Sequence, residues 1–207
     1  MNSRVHVVDD DEAIRLAMVR LLRAAGHDAL AHACANELLT ALADGHPGCI
    51  VLDVQMPGLS GLEVQEKILN GDNPLPIIFL TGHAEIPDSV RAIQRGAIDF
   101  LTKPVQGPVL LAAIERALAK DAADRETRRR LRELRERYDR LTPRERQVLV
   151  HLISGQLNKQ AAADLNIAER TIKLHRARIF EKLEADSMAS LARIALELGI
   201  SPAQHAK

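Results

Sequence analysis

The sequence predicts a two-part chain: an α/β unit with a five-stranded parallel sheet over residues 1–120 and an all-α unit of four short helices over residues 141–207, joined by a charged helical linker over residues 121–140. Three observations predict it. In the first 120 residues, five short apolar runs alternate with longer amphipathic stretches, the pattern of a parallel sheet covered by helices on both faces. After residue 141, apolar residues recur at helical spacing and no strand pattern is seen. Charge divides at the same place: residues 1–120 hold 10 Lys and Arg against 15 Asp and Glu, and residues 121–207 hold 18 against 13, although the whole chain sums to zero. An acidic half suits metal or phosphate, and a basic half suits nucleic acid.

The predicted strands are Val5–Val8, Asp28–Ala31, Cys49–Leu52, Ile77–Leu80 and Ile98–Leu101. Between the first two, Ile14, Met18, Leu21 and Leu22 fall on one helix face. Gly26 and Gly96 stand where helices should end. Leu110, Ile114 and Ala117 mark a last helix against the sheet, and the linker then continues without Gly or Pro. Within it, Leu131, Leu134, Tyr138 and Leu141 follow a 3-4-3 spacing, which fits either a short seam between two copies or a solvated linker helix. Thr142 is a good N-cap and Pro143 suits the first helical position. Helices are expected at about 143–154, 158–165, 169–183 and 187–199, with Gly155 and Asn166 punctuating the first two gaps.

Cys34 and Cys49 lack metal-ligand spacing and read as reduced, buried thiols. Met1-Asn2-Ser3-Arg4 runs straight into an apolar strand without a signal-peptide pattern, and no stretch is long and apolar enough to span a bilayer. A cytoplasmic protein with no membrane partner is expected.

Chemistry concentrates where strands end. Asp9, Asp10 and Asp11 follow the first strand, Asp53 ends the third, Thr81 follows the fourth, and Lys103-Pro104 follows the fifth. A parallel sheet brings these ends to one edge, where such folds place their sites. Clustered carboxylates raise one another's pKa unless a cation lies between them, and hard oxygen ligands with room for water suit Mg²⁺. A carboxylate beside that ion can attack a phosphoryl donor, while an ammonium and a hydroxyl neutralise the incoming oxygens.

The segments Val7-Val8-Asp9-Asp10, Leu52-Asp53-Val54-Gln55-Met56-Pro57-Gly58, Leu80-Thr81-Gly82 and Lys103-Pro104 resemble the receiver domain of response regulators. The resemblance covers about residues 1–120 and implies a flavodoxin-like, doubly wound sheet. It implies Asp53 as phosphoacceptor, and Asp10, Asp53 and the Gln55 carbonyl as direct Mg²⁺ ligands, with Asp9 acting through water. It implies Thr81 and Lys103 as holders of the phosphoryl oxygens, and Phe100 as the aromatic switch residue. Asp11 and Glu12 read as favourable charge in a helix's first turn. A phosphatase of the haloacid-dehalogenase type also uses a nucleophilic Asp, but needs a second Asp two residues on. This chain has Gln55 there, so that reading is set aside.

Residues 156–185 read as helix, tight turn, helix. Ala161, Ala162, Leu165 and Ile167 can pack on Ile172, Ile179 and Leu183, which share one face of the second helix. That leaves Lys173, Leu174, Ala177, Arg178 and Glu181 on or near the other face, free for a major groove. Leu141-Thr142-Pro143-Arg144-Glu145, Asn158-Lys159 and Arg170-Thr171-Ile172-Lys173-Leu174-His175 resemble the LuxR-type helix-turn-helix, and with a receiver in front the chain resembles the NarL/FixJ class, most like its FixJ side. The resemblance implies Lys173, Leu174 and Ala177 facing the groove, with Arg178, Arg176, Thr171 and Lys159 nearer phosphates. His175 reads as structural, in the helix core or on a backbone group. Two residues depart from the pattern: Ala168 stands where Ser or Thr would cap the helix, and Ala177 offers only a methyl group.

The expected function is a DNA-binding transcriptional response regulator rather than a dedicated enzyme, with self-dephosphorylation as its only further reaction. Its expected partners are a sensor histidine kinase, double-stranded promoter DNA, a second copy of itself when phosphorylated and, as a candidate, RNA polymerase. The surface around residues 84–101 is the expected dimer face, by resemblance to receivers. The competing class is a receiver-gated adaptor that docks on protein; salt-dependent binding to duplex DNA separates the two.

Overall fold

The computed structural model describes residues 3–71, 73–82 and 86–202. The chain divides into two compact units, Met1–Arg125 and Glu126–Lys207.

In the first unit, strands β1 (Arg4–Val8), β2 (Asp28–His32), β3 (Gly48–Asp53), β4 (Ile77–Thr81) and β5 (Asp99–Thr102) form one sheet in the order β2-β1-β3-β4-β5. Every pairing is parallel. The strand order changes direction between β1 and β3, so a crevice opens there at the carboxyl edge. Helices α1 (Glu12–Ala24), α2 (Ala35–Ala41), α3 (Gly61–Leu69), α4 (Ile86–Gln94) and the start of α5 (Gly107–Asp139) fill the crossovers. Side chains alternate across each strand, so two cores form. One gathers Val5, Val7, Cys49, Val51 and Ile78 with Met18, Leu22, Leu110 and Ile114. The other gathers Val8, Ile50, Leu52 and Phe79 with Leu38, Val64 and Ile68. Gly26 and Gly96 take left-handed φ values of 89°, as helix ends require. Cys49 is buried, but Cys34 is only half-buried, because it opens α2 at the sheet's rim.

Buried polar groups interrupt this apolar frame, among them a histidine pair and an aspartate. On β1, His6 points inward and its Nδ1 lies 2.9 Å from His32 Nε2 on β2, with the rings stacked. Burial, aided by the neighbouring imidazole, lowers the His6 pKa to about 4, and burial also lowers that of His32. At the other edge of the sheet, the buried Asp121 of α5 accepts the Gly48 N–H at 2.9 Å. Arg125 grips Asp121 and donates to the carbonyls of Gly45 and His46.

The second unit holds α6 (Pro143–Ile153), α7 (Asn158–Asp164), α8 (Glu169–Leu183) and α9 (Met188–Glu197). Thr142 caps α6 through a reciprocal bond with Glu145. Buried Glu145 also accepts Lys182 Nζ at 2.7 Å. Burial disfavours the Glu145 charge, but the Lys182 and Thr142 hydrogen bonds outweigh it and hold its carboxyl below the usual range. Asn166 turns the chain between α7 and α8 with a φ of 53°.

The 3-4-3 spacing, open between a seam and a solvated linker helix, is answered by neither. Leu134 and Leu141 are buried in the second unit's own core with Val148, Leu149, Ile172 and Ile179, and Tyr138 packs against it. Arg130 pairs with Glu197 and Arg137 with Glu184. The last turns of α5 thus serve as a fifth helix of this unit, and of the four seam residues only Leu131 is exposed. A core within the chain satisfies the same 3-4-3 spacing as a seam between chains.

Candidate functional site

Three carboxylates converge at the carboxyl edge between β1 and β3. Ligand atoms of Asp9, Asp10 and Asp53 all lie within 4.8 Å of one another. Asp9 and Asp53 are buried and Asp10 is exposed. Lys103, just past β5, reaches across the edge and sets Nζ 2.6 Å from Asp9 Oδ2 and 2.6 Å from Asp53 Oδ2. The Asp53 contact is a well-formed hydrogen bond. The Asp9 contact is an ion pair only, so Asp9 Oδ2 is shut from solvent without a hydrogen bond. Asp9 Oδ1 accepts the Asp11 N–H at 3.0 Å, and Asp53 Oδ1 accepts the Gln55 N–H at 3.1 Å.

Burial and the Lys103 charge compete in the pocket. Burial pushes the Asp9 carboxyl above its usual value despite the adjacent ammonium. Burial opposes the Lys103 charge as well, but the Asp53 hydrogen bond and the negative charges of Asp53 and Asp9 together hold Lys103 above its usual value. A full ammonium therefore faces a carboxylate cluster still short of positive charge.

Thr81 ends β4 fully buried, and its carbonyl accepts the Lys103 N–H at 2.8 Å, tying two expected site residues together through the backbone. Phe100 on β5 is half-buried and packs on Phe79, with ring centroids 5.8 Å apart. The Lys103–Pro104 peptide bond is cis.

Three features of the pocket escaped sequence reasoning. Asp11 is the N-cap of α1, accepting the N–H groups of Ala13 and Ile14, rather than charge within its first turn. Arg15 donates to the Asp9 carbonyl at 2.6 Å and fixes the loop that carries the carboxylates. Gly61 opens α3 so close to β3 that a Cβ there would stand 2.4 Å from the Asp53 carbonyl oxygen. Asp11 could have been found, since Asp before a helical run is an N-cap signal. The other two depend on tertiary contact.

In the second unit, Lys173, Leu174, Ala177 and Arg178 are exposed on α8 and Lys159 on α7, while Thr171 and Arg176 are half-buried. Ile172, Ile179 and Leu183 are buried on the opposite face. Ala168 occupies the N-cap of α8 without a side-chain bond, and Glu169 pairs with Lys173 at 3.3 Å. His175 is half-buried, and its Nδ1 makes no hydrogen bond among the described residues.

Comparison with known proteins agrees with this geometry. Residues 5–115 match the response regulator receiver domain, and residues 139–195 match the bacterial regulatory proteins of the luxR family. The chain is similar to the transcriptional regulatory protein FixJ of Azorhizobium caulinodans, 39% identical over 98% of this chain and 96% of that one. It is also similar to nodulation protein W of Bradyrhizobium diazoefficiens, 41% identical over 95% of this chain and 87% of that one. Among solved structures it resembles the response regulator StyR, with 42% identity, a TM-score of 0.83, and coverage of 95% of this chain and 100% of that one. The chain belongs to the two-component response regulators that pair a receiver domain with a luxR-family DNA-binding domain.

Proposed function

We propose that a sensor histidine kinase activates this protein by phosphotransfer to Asp53, and that the phosphorylated protein dimerises and binds promoter DNA. In functional terms, residues 1–120 receive the signal, 121–140 link, and 141–207 read DNA. The observation that carries this reading is the single ammonium of Lys103 bridging two buried carboxylates at the carboxyl edge of the sheet.

The residues fit Mg²⁺. Asp9 Oδ2 is a buried acceptor without a hydrogen bond, and three carboxylates offer hard oxygens within 4.8 Å of one another. Asp10, Asp53 and the Gln55 carbonyl would hold the ion directly, with Asp9 acting through water. The ion would supply positive charge for the phosphoryl oxygens where the carboxylates would otherwise repel them.

The chain's own groups do the rest. A carboxylate oxygen of Asp53 attacks the phosphorus of the donor phosphohistidine. The P–O bond forms as the P–N bond breaks, and the electron pair returns to the imidazole nitrogen. Lys103 takes one phosphoryl oxygen, exchanging part of its bond to Asp53. The Thr81 hydroxyl takes another, and Phe100 follows Thr81 inward, remodelling the surface around residues 84–101. Residues 84 and 85 lie outside the described residues. Water attacking the acyl phosphate returns Asp53 to its carboxylate, which makes self-dephosphorylation the chain's one hydrolytic reaction. Lys173, Leu174 and Ala177 enter the major groove, while Lys159, Thr171, Arg176 and Arg178 flank it. The protein works in the cytoplasm, with RNA polymerase as a candidate partner at the promoter.

The test is sedimentation of the full chain with Mg²⁺, before and after reaction with a small phosphodonor, beside a duplex-binding titration on the same samples. The expected result is dimerisation on phosphorylation together with tighter binding. A phosphorylated chain that stays monomeric at micromolar concentration while binding DNA tightly would refute dimerisation as the switch. Loss of neither phosphorylation nor binding in excess chelator would remove Mg²⁺ from the pocket.

A further inference from the structure

One turn of α6 reaches α8 at two points. Lys182, in the last turn of α8, donates to buried Glu145 at 2.7 Å and to the Arg140 carbonyl at 3.1 Å. Arg144, the neighbour of Glu145, reaches the other end. Its Nη2 donates at 2.6 Å to the Leu165 carbonyl, where α7 ends and the turn into α8 begins, and its Nη1 donates to Gln147 Oε1 at 2.7 Å. A cation on the last carbonyls of a helix is favourable in its own right. The guanidinium does more, because its bonds leave along a rigid fork and so fix direction as well as distance. Among the described residues no other side chain bonds the 165–168 turn, and Ala168, at the N-cap of α8, offers no side-chain acceptor. The start of α8 is thus tied down by an arginine of another helix rather than by a cap of its own.

We propose that Arg144 is a positioning residue for base reading: with Glu145 it clamps both ends of α8 to the first turn of α6, and it stands in for the N-cap that Ala168 lacks. The proposal rests on the DNA-binding reading above and deepens it, since Arg144 acts through α8 and not on the DNA. Ile172, Ile179 and Leu183 seat α8 on the core, but apolar contact is non-directional and yields to small rotations. Held at Lys182 alone, α8 tilted by about 10° would carry Lys173, about 13 Å along the helix, roughly 2 Å sideways. A hydrogen bond to a base edge fails over such a distance, whereas a long cationic side chain follows a phosphate that far. Loss of the clamp therefore blurs sequence reading and spares non-specific binding.

Five full-length proteins test it: wild type, R144A, R144K, A168S and R144A/A168S. Each is titrated, far below its thermal midpoint, with a duplex selected by the wild type from random DNA and with a mixed-sequence duplex, over a range of salt. R144A should bind the selected duplex about tenfold more weakly and the mixed duplex within about twofold of wild type, with an unchanged slope of log affinity against log salt. R144K keeps the charge but not the fork, and should lose roughly threefold on the selected duplex alone. A168S should leave the selectivity of the wild type unchanged, yet recover roughly threefold of the loss in R144A, since a new cap takes up the same task. An R144A with wild-type selectivity would overturn the clamp, as would an A168S that acts alike in both backgrounds. Equal loss on both duplexes, with a slope smaller by about 0.9, would also overturn it by placing Arg144 on a phosphate. Should R144A not fold, an R144K indistinguishable from wild type on the selected duplex decides against the clamp in the same way. A wild type that binds no duplex would instead overturn the DNA-binding reading on which the clamp depends.

Discussion

The acidic pocket and helix α8 handle charge in opposite ways. In the pocket, Asp9 and Asp53 are buried, one lysine serves both, and one buried oxygen lacks a hydrogen bond. On α8, Lys173 and Arg178 stand in water above a fully apolar inner face. Burying charge costs stability and is retained where a ligand is to relieve it. Exposed charge costs almost nothing, but its interactions are screened by salt. The pocket is therefore built to respond, and the helix is built to adhere.

The largest break in this contrast is Asp53→Asn. The amide is not a competent nucleophile, so incorporation of a phosphoryl group should fall to nothing, read as loss of the mass increase after reaction with a phosphodonor. Because the substitution also removes a charge from a crowded cluster, the thermal midpoint should hold or rise. A retained acyl phosphate would show that the nucleophile is elsewhere; a steep fall in stability would show that the pocket is structural rather than responsive.

Leu134→Ala tests the other side of the comparison. If the last turns of α5 belong to the core beneath α8, deleting this side chain should cost about 2–5 kcal/mol, as cavity-forming substitutions do. The loss would appear as a lower denaturant midpoint for residues 126–207, with phosphorylation at Asp53 unimpaired. A loss under about 1 kcal/mol would return Leu134 to a solvated linker.

How much of this was legible depended on whether a signal was local. The five strands appear within a residue or two of their predicted places, because short apolar runs such as Cys49-Ile50-Val51-Leu52 have few other ways to be satisfied. Thr142 and Glu145 announced their capping box three residues apart. Asp9, Asp53 and Lys103 converge because strand ends in a parallel sheet must. What could not be read was set by packing across the fold. Gly61 looks like any loop glycine until α3 is laid against the Asp53 carbonyl. Leu134 and Leu141 have heptad spacing, and spacing cannot say whose core they enter. Nothing near His6 in the sequence points to its partner, 26 residues away, which appears only when β1 and β2 pair.

That histidine pair sharpens the comparison with pH. The folded chain resists protonation of His6 down to about pH 4, whereas an unfolded His accepts a proton near 6.5. Between those values the unfolded state binds the extra proton, so stability is full above pH 6.5 and declines as pH falls toward 4. From pH 7.5 to pH 5 the loss should reach about 2 kcal/mol, with His32 adding to it in the same direction. His6→Gln keeps a polar group on β1 that does not titrate and should flatten the denaturant midpoint across that window. If the variant and the wild type lose stability in parallel, the pair does not govern acid sensitivity.

The smallest expected effect is a gain, and it falls on α8. Ala168 already has the extended backbone of an N-cap, with φ −70° and ψ 142°, but it offers no side-chain acceptor, so the first N–H groups of the helix lack the bond that Thr142 supplies to α6. Glu169 in the first turn compensates only through the helix dipole, and its carboxylate is shared with Lys173. Ala168→Ser should add the missing bond without moving the backbone, for about 1 kcal/mol. In a unit of this size that corresponds to a rise of roughly 4–8 °C in the thermal midpoint of residues 126–207. Because the gain is local to the helix start, the acidic pocket should phosphorylate at its original rate. If the midpoint does not rise, the N–H groups at the start of α8 are already satisfied by water at no cost, and the uncapped start is as inexpensive as the exposed charges that follow it.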